Sequence, residues 1–175
     1  MSSVTQSVSY PWFALYVKSR HEKSVGAALQ QWGYEAFVPV YKAPNRRRVV
    51  ELPLFPNYVF CRLDFRSAPP LFRIPGVFEI VKQGKYPASI SEKEVTAIGA
   101  VVASGYLARP WPNVTLGDTV RIESGPLQGI EGTLDRVSSQ LVVSIALLQR
   151  SIAVTVPREW VVPAPRGRAQ TLGRD

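Results

Sequence analysis

The first half of the chain contains short segments of aromatic and β-branched residues in which apolar and polar positions alternate. Such segments are typical of half-buried strands. They lie at 12–17, 36–41, 57–63 and 77–82. The pattern therefore predicts a sheet in which successive side chains of each strand point to opposite faces.

Two longer segments carry apolar residues at helical spacing instead, and each opens on a capping box. The first begins with Ser19 and Glu22, and the second with Ser91 and Glu94. A glycine follows each segment, where it can end the helix in a left-handed conformation. The order β-α-β-β-β-α, with one more helical turn at 71–74, predicts an α+β sandwich of the ferredoxin-like, split βαβ type.

Short strand-like segments separated by glycines fill the second half of the chain. Five of them fall between residues 117 and 162. The segments 140–147 and 151–156 are rich in Val and Ile and alternate, which favours strands over helix. This half of the chain is therefore predicted to form a small five-stranded β-barrel.

Pro110 and Pro112 separate the two patterns, and each favours an extended chain before it. We read this stretch as a semi-rigid linker. The predicted organisation is an N-terminal domain over 10–106, a linker over 107–113, a barrel over 114–164 and a flexible tail over 165–175.

Alternation on the strands predicts a face that the helices leave open. If both helices cover one face of the sheet, the opposite face carries the rings of Tyr16, Tyr58 and Phe60 beside Lys18 and Arg62. Two interpretations remain open from the pattern alone. The rings pack against the second domain or a strand edge, or they form a docking patch with a basic rim.

The basic residues are concentrated in the first half of the chain. The net charge is +8, and residues 1–108 hold thirteen of the 21 lysines and arginines but only seven of the 13 acidic residues. Such an excess attracts polyanions. A run of three arginines at 46–48 lies between two predicted strands. It is either a solvated turn or an arm that contacts phosphates.

Composition narrows the classes of function. Hydrophobic residues make up 46% and charged residues 19% of the 175 residues, which is typical of a globular chain. Cys61 and His21 are the sole residues of their types. The sequence therefore predicts a protein that is not an enzyme and holds neither metal nor cofactor. No apolar run reaches the about 20 residues that cross a bilayer and no export signal opens the chain, so we expect a cytoplasmic protein.

Several motifs, in order, make the chain resemble one family of bacterial transcription factors. They are WFALY at 12–16, LFPNYVF at 54–60, IPGV at 74–77, PASISEKEV at 87–95 and a glycine-rich signature at 117–132. On these motifs the chain is similar to the NusG-type factors, which combine an NGN domain with an SH3-like KOW barrel. The LFPNY form at 54–58 is closest to the specialised RfaH-like members of polysaccharide operons.

The resemblance implies binding of the NGN domain to the clamp helices of the largest RNA polymerase subunit. At the matching motif positions, the polymerase-binding residues are Tyr16, Phe55, Tyr58 and Phe60. It also implies contacts with the exposed non-template DNA strand through Lys18, Arg20 and Arg73.

For the second domain the resemblance implies a KOW barrel that recruits Rho or a small-subunit ribosomal protein. The KOW signature positions are Gly117, Asp118, Val120, Gly125, Gly129 and Gly132. The expected molecule is a monomer that raises the processivity of transcription. The alternatives are a housekeeping NusG factor and a KOW-type RNA-binding or ribosome-associated protein without polymerase contact.

Overall fold

A computed structural model describes residues 9–67, 70–111, 117–134, 141–145, 148 and 150–164, with only the backbone for Ser67 and 141–145. The predicted tail at 165–175 and the last two residues of the predicted linker lie outside the described residues. In the described part of the chain, no helix is long and apolar enough to cross a membrane.

The described residues of the N-terminal part of the chain form two helices and nine strands. The helices are α1 (Glu22–Gln31) and α2 (Glu92–Ser104). The strands are β1 (Trp12–Val17), β2 (Ala36–Phe37), β3 (Val40–Asn45), β4 (Arg48–Pro53), β5 (Tyr58–Arg62), β6 (Val77–Ile80), β7 (Lys82–Gln83), β8 (Tyr86–Pro87) and β9 (Ser89–Ile90). The helical turn predicted at 71–74 is a short 3-10 helix, Leu71–Arg73.

Strand β1 is the centre of an antiparallel sheet of order β2-β5-β1-β6, and β9 also pairs with β1. The register places Phe13 opposite Cys61, Ala14 opposite Phe60 and Tyr16 opposite Tyr58. The predicted α+β class is confirmed.

The two helices lie on opposite faces of this sheet, so the prediction that both cover one face is wrong. Leu15 and Val59 pack with Val25 and Leu29 of α1 in one core cluster. The alternate positions of the strands, such as Ala14 and Phe60, instead belong to the cluster that contains α2. The reason is that α2 carries an apolar stripe of its own, Val95, Ile98 and Val101, which must also be buried.

Only one of the two predicted capping boxes is present. At α2 the backbone N–H of Ser91 donates to the Glu94 carboxylate at 3.2 Å, and the box is complete. At α1 the residue before the first helical turn is His21, not Ser19. Glu22 is buried there and bonds to a different segment, described below.

Two hairpins form sheets of their own. Strands β3 and β4 pair from Val40–Pro53 out to Asn45–Arg48, so a two-residue turn joins them. Strands β7 and β8 form a shorter hairpin.

From residue 108 onward, the residues that the structure describes include an antiparallel sheet of six strands. They are β10 (Ala108–Trp111), β11 (Thr119–Ile122), β12 (Glu131–Leu134), β13 (Leu141–Ile145), β14 (Arg150–Val154) and β15 (Val161–Pro163), in the order β10-β14-β13-β12-β11-β15. The strands expected within 140–147 and 151–156 are present as β13 and β14. The sixth strand differs from the sequence prediction, because Ala108–Trp111 of the predicted linker pair with β14. Pro110 is compatible with this position, since β10 is an edge strand.

The barrel packs on the side of the N-terminal domain that carries α2. One core cluster includes Ile98 of α2 together with Val120 and Ile122 of β11. Lys93 of α2 forms an ion pair with Glu131 of β12, with Nζ and Oε2 3.2 Å apart. The two halves of the chain therefore share buried apolar surface as well as a charged contact.

Candidate interaction surface

Three aromatic rings form an exposed group at the end of β1, which we call the aromatic patch. The rings of Tyr16 and Tyr58 lie 5.7 Å apart, and those of Tyr16 and Phe78 lie 5.8 Å apart. Tyr16 is 37% and Phe78 57% exposed, whereas Tyr58 is half-buried. Neighbouring rings held this close and open to solvent are characteristic of a surface that contacts another macromolecule.

Phe55 and Phe60, which were predicted to bind polymerase, do not lie on this surface, and the prediction that Phe60 lies on an open face is wrong. Both are almost completely buried, and their rings contact each other at 5.5 Å. Alternation places Phe60 on the same face as Tyr58, but α2 covers that part of the face. Phe55 and Phe60 form the core beneath the patch instead of its contact surface.

Sequence reasoning missed Phe78. Tyr16 pairs with Glu79 and Val17 with Val77, so a β-bulge at Phe78 interrupts the register. A bulge adds a residue to one strand and redirects a side chain. Phe78 consequently meets Tyr16, although simple alternation would put it with Ile80 on the other face. Nothing in the printed sequence marks the bulge.

The LFPNY motif positions the patch through Asn57. Asn57 is left-handed, with φ +71°, a conformation that asparagine tolerates better than most residues. Its backbone N–H donates to Oε1 of Glu22 at 2.9 Å, and its side-chain Nδ2 donates to the Val17 carbonyl at 3.2 Å. Val17 N–H in turn donates to the Asn57 carbonyl at 2.8 Å. These bonds fix the turn immediately before Tyr58 to the end of β1 and the start of α1.

The predicted nucleic-acid residues lie on two segments that the structure joins. Lys18 N–H donates to the Gly76 carbonyl at 2.8 Å, which places the loop that carries Lys18 and Arg20 beside the segment that follows Arg73. All three basic side chains are exposed. Among the ion pairs of the described residues, none involves Lys18, Arg20 or Arg73.

Gly76 explains why the two segments approach so closely. Its φ is +96°, and an added Cβ would lie 3.1 Å from Cδ2 of His21. His21 therefore packs against the glycine as a structural residue of the loop.

In the barrel, the KOW signature positions serve turns and packing. Gly125 and Gly129 are left-handed, Val120 is buried, and Gly132 lies opposite Val120 in the sheet. The Asp118 carbonyl accepts a hydrogen bond from Leu134 N–H at 3.1 Å, and Gly117 lies against the backbone of Leu134.

The described residues contain no group of three His, Cys, Asp or Glu side chains that could hold a metal ion. Cys61 is buried, and burial raises the pKa of its thiol to about 12. A thiol in that environment stays protonated and inert, because the reactive species is the thiolate.

A family model described as "Transcription termination factor nusG" matches residues 10–99 of this chain. The chain belongs to the NusG family. The match covers the part of the chain that contains the aromatic patch and the basic loop. The family consists of transcription factors, so this chain acts in transcription and is not an enzyme.

Full-length relatives agree with the family match. The NusG termination/antitermination protein of Thermus thermophilus is 27% identical over 186 residues, which cover 90% of this chain and 100% of that protein. The protein of the same description from Vibrio vulnificus is 26% identical over 163 residues, covering 82% and 90% of the two chains.

A solved structure described as "Domain interaction in Thermotoga maritima NusG" is similar in fold. Its TM-score is 0.53 at 22% identity, and the match covers 89% of this chain and 97% of that one. At 22% identity this similarity shows the fold alone. It agrees with an NGN domain followed by a KOW barrel.

Proposed function

We propose that this NusG-family protein is a transcription elongation and antitermination factor that docks on RNA polymerase through the aromatic patch. The observation that carries the proposal is the exposed contact between Tyr16, Tyr58 and Phe78 on the NGN domain. Burying an aromatic side chain in a partner contributes about 1.5–3 kcal/mol. Three such rings are enough for a specific contact.

The partner surface we propose is the clamp helices of the largest polymerase subunit, as the family resemblance implies. Tyr16 and Tyr58 occupy the family's motif positions, and Phe78 extends the same surface. Phe55 and Phe60 have a supporting role, since their buried rings belong to the core cluster against which Tyr58 packs.

The basic loop would contact the non-template strand while the patch holds the polymerase. Lys18, Arg20 and Arg73 are exposed cations on joined segments, which suits contact with phosphates. Bridging the cleft in this way favours the closed, processive polymerase over the open, paused one, because a ligand shifts a conformational equilibrium only by its differential affinity. No covalent chemistry is involved.

The KOW barrel would recruit a second partner, Rho or a small-subunit ribosomal protein. Its covalent link to a polymerase-bound NGN domain gives that partner a high effective concentration at the transcription complex. The LFPNY motif favours a specialised, RfaH-like member over a housekeeping factor. The site of action we propose is the cytoplasm.

The decisive test compares polymerase binding by the wild type and by a Tyr16→Ala, Tyr58→Ala variant. We expect the dissociation constant for core polymerase to rise at least about 100-fold, because two lost rings remove at least about 3 kcal/mol and each 1.4 kcal/mol is tenfold. Tyr86→Ala is the matched control, since Tyr86 is 78% exposed on the β7–β8 hairpin, outside the patch. Binding would be measured by biolayer interferometry with full-length proteins.

Equal binding by the wild type and the patch variant, with circular dichroism unchanged, would contradict the proposal. It would leave the KOW-type RNA-binding alternative, which gives the patch no role.

A promoter-initiated run-off assay across a terminator shows whether the protein promotes or prevents termination. We expect read-through to rise with the wild type and not with the variant.

A further inference from the structure

The β7–β8 hairpin connects two strands of the first sheet, β6 and β9, and lies open to solvent. Its own strands, Lys82–Gln83 and Tyr86–Pro87, are joined by a two-residue turn of Gly84 and Lys85. Gly84 is left-handed, with φ +65°, and nothing lies within 4 Å of an added Cβ there. All six residues are exposed. We call residues 82–87 the tyrosine hairpin.

Packing does not account for the tyrosine of this hairpin. Tyr86 is 78% exposed, the largest fraction among the large apolar and aromatic side chains that the structure describes. A ring on a strand is normally stabilised by an aromatic or branched neighbour on the opposite strand, but the residue opposite Tyr86 is Gln83. Among the ring contacts of the described residues, none involves Tyr86. The ring is therefore open to a partner.

Two cations accompany the ring. Neither Lys82 nor Lys85 takes part in the ion pairs of the described residues, and the hairpin itself contains no acidic residue. Paired strands lie about 5 Å apart, and lysine carries its charge on a flexible four-carbon stem. Both ammonium groups can therefore reach a chain of phosphates that passes along the ring of Tyr86.

We propose that the tyrosine hairpin binds single-stranded nucleic acid, with one base stacked on Tyr86 and the neighbouring phosphates contacted by Lys82 and Lys85. Every base has a π-face, so stacking on a tyrosine tolerates any sequence. Inside a duplex the bases cover each other's faces, so an exposed ring favours an unpaired strand. The site goes beyond the proposed function, because it uses none of the residues assigned to the polymerase or to the non-template strand.

The first test measures how the full-length protein binds a labelled oligothymidine of about 12 nucleotides, by fluorescence anisotropy. Tyr86→Ala is expected to weaken binding about 5- to 150-fold, the effect of losing one stacked base, and to leave the salt dependence unchanged. Tyr86→Phe is the matched control, because it keeps the ring and loses only the hydroxyl. We expect it to bind as the wild type does.

The second test concerns the two lysines and uses the same strand at several salt concentrations. Each phosphate contact with a single strand contributes about −0.7 to the slope of log K against log salt, so Lys82→Gln, Lys85→Gln should make the slope about 1.4 less steep. The control is Arg150→Gln, Arg158→Gln, which removes two exposed charges from the barrel. It should change the slope by less than half as much.

Several results would overturn the proposal. Wild-type affinity in Tyr86→Ala, or an equal loss in the alanine and phenylalanine variants, would exclude stacking. Equal slope changes in the two double variants would reduce the effect to net charge. A duplex that binds more tightly than the strand would exclude an unpaired ligand, and equal displacement by polyglutamate would indicate an acidic protein partner.

RNA and DNA share the chemistry that this site recognises, so an oligouridine of the same length is measured beside the oligothymidine. The strand that binds more tightly identifies the sugar, since the 2′-hydroxyl is the group that differs along the backbone. The tyrosine hairpin and the aromatic patch fail separately. Binding to core polymerase is measured without nucleic acid, and there Tyr86→Ala is expected to behave as the wild type does.

Discussion

Gly125 occupies a position where both the backbone and its surroundings exclude a side chain. Its φ is +77°, and a Cβ there would collide with the six-membered ring of Trp160. The ring of Trp160 also packs edge-on against Tyr106, with centroids 5.9 Å apart. One glycine of the KOW signature thus allows a tryptophan to connect the barrel to the chain that follows α2.

We predict that Gly125→Ala destabilises the protein by about 2–5 kcal/mol, the sum of backbone strain and overpacking. The control is Gly84→Ala, where φ is also positive, +65°, but nothing lies within 4 Å of an added Cβ. In that variant only the backbone is strained, so its free energy of unfolding should fall by about 1 kcal/mol. Urea unfolding followed by tryptophan fluorescence measures both, and equal losses would contradict the role of Trp160.

Single residues also show where alternation stops being informative. Period-2 patterning correctly groups Tyr58 and Phe60 on one face, but it does not reveal that one is half-buried and the other completely buried. The exposed partner Phe78 escapes the pattern because of a bulge. Burial and bulges depend on neighbouring elements and not on spacing along the strand.

At the scale of elements, Glu22 connects α1 with the turn before β5. It is 4% exposed in the first turn of α1, and its carboxylate accepts the Asn57 N–H of the turn before β5. The motif Ser19…Glu22 reads as a capping box, but the carboxylate is recruited by a residue 35 positions away. Capping rules consider only residues within the first helical turn, so they do not predict that a distant backbone N–H will bind this carboxylate.

We predict that Glu22→Ala costs about 1–3 kcal/mol of unfolding free energy, because the Asn57 N–H loses its acceptor in a partly buried site. Glu22→Gln keeps an acceptor oxygen and should lose less than about 1 kcal/mol. Hydrogen exchange at the Asn57 amide should accelerate in the alanine variant and change little in the glutamine variant. If both variants exchange at the wild-type rate, the bond does not hold the turn.

The helices themselves were largely predictable. Of the two hairpins, the sequence indicated only a turn at the arginine run 46–48, and it did not predict the β7–β8 hairpin. The boundaries of α2 follow from Ser91, Glu94 and the left-handed Gly105, all of which act within a few residues. The side of the sheet that α2 covers was not predictable, since either face of the strands offers apolar positions.

For the whole molecule, the charged contact between α2 and the barrel centres on Glu131. Arg121 and Lys93 both hydrogen-bond its carboxylate and lower its pKa below the ordinary value. Arg121 lies in the barrel, opposite Glu131 in the sheet, whereas Lys93 lies on α2. Glu131 therefore links charges from both halves of the chain.

A lowered pKa in the folded state means that this contact stabilises the protein above the pKa of the unfolded carboxyl, about 4.3, and that the stabilisation is lost as the pH falls through the folded value. We predict that the wild type loses more stability between about pH 7 and pH 3 than Glu131→Gln does. Thermal unfolding at both pH values measures the difference. Identical pH dependence in the two proteins would contradict a contribution from Glu131.

The sequence by itself determined the α+β class, the two helices, the central strands of the first sheet and the strand-rich second half, because capping, alternation and turn-forming glycines act over a few residues. The resemblance to the family came from its motifs and not from these local patterns. Tertiary structure alone decided that the helices lie on opposite faces, that Ala108–Trp111 complete the barrel sheet and that Phe78 replaces Phe60 at the surface. Those outcomes depend on which apolar surfaces meet across the chain. The residues next to a position in sequence do not determine which distant apolar surface will cover it.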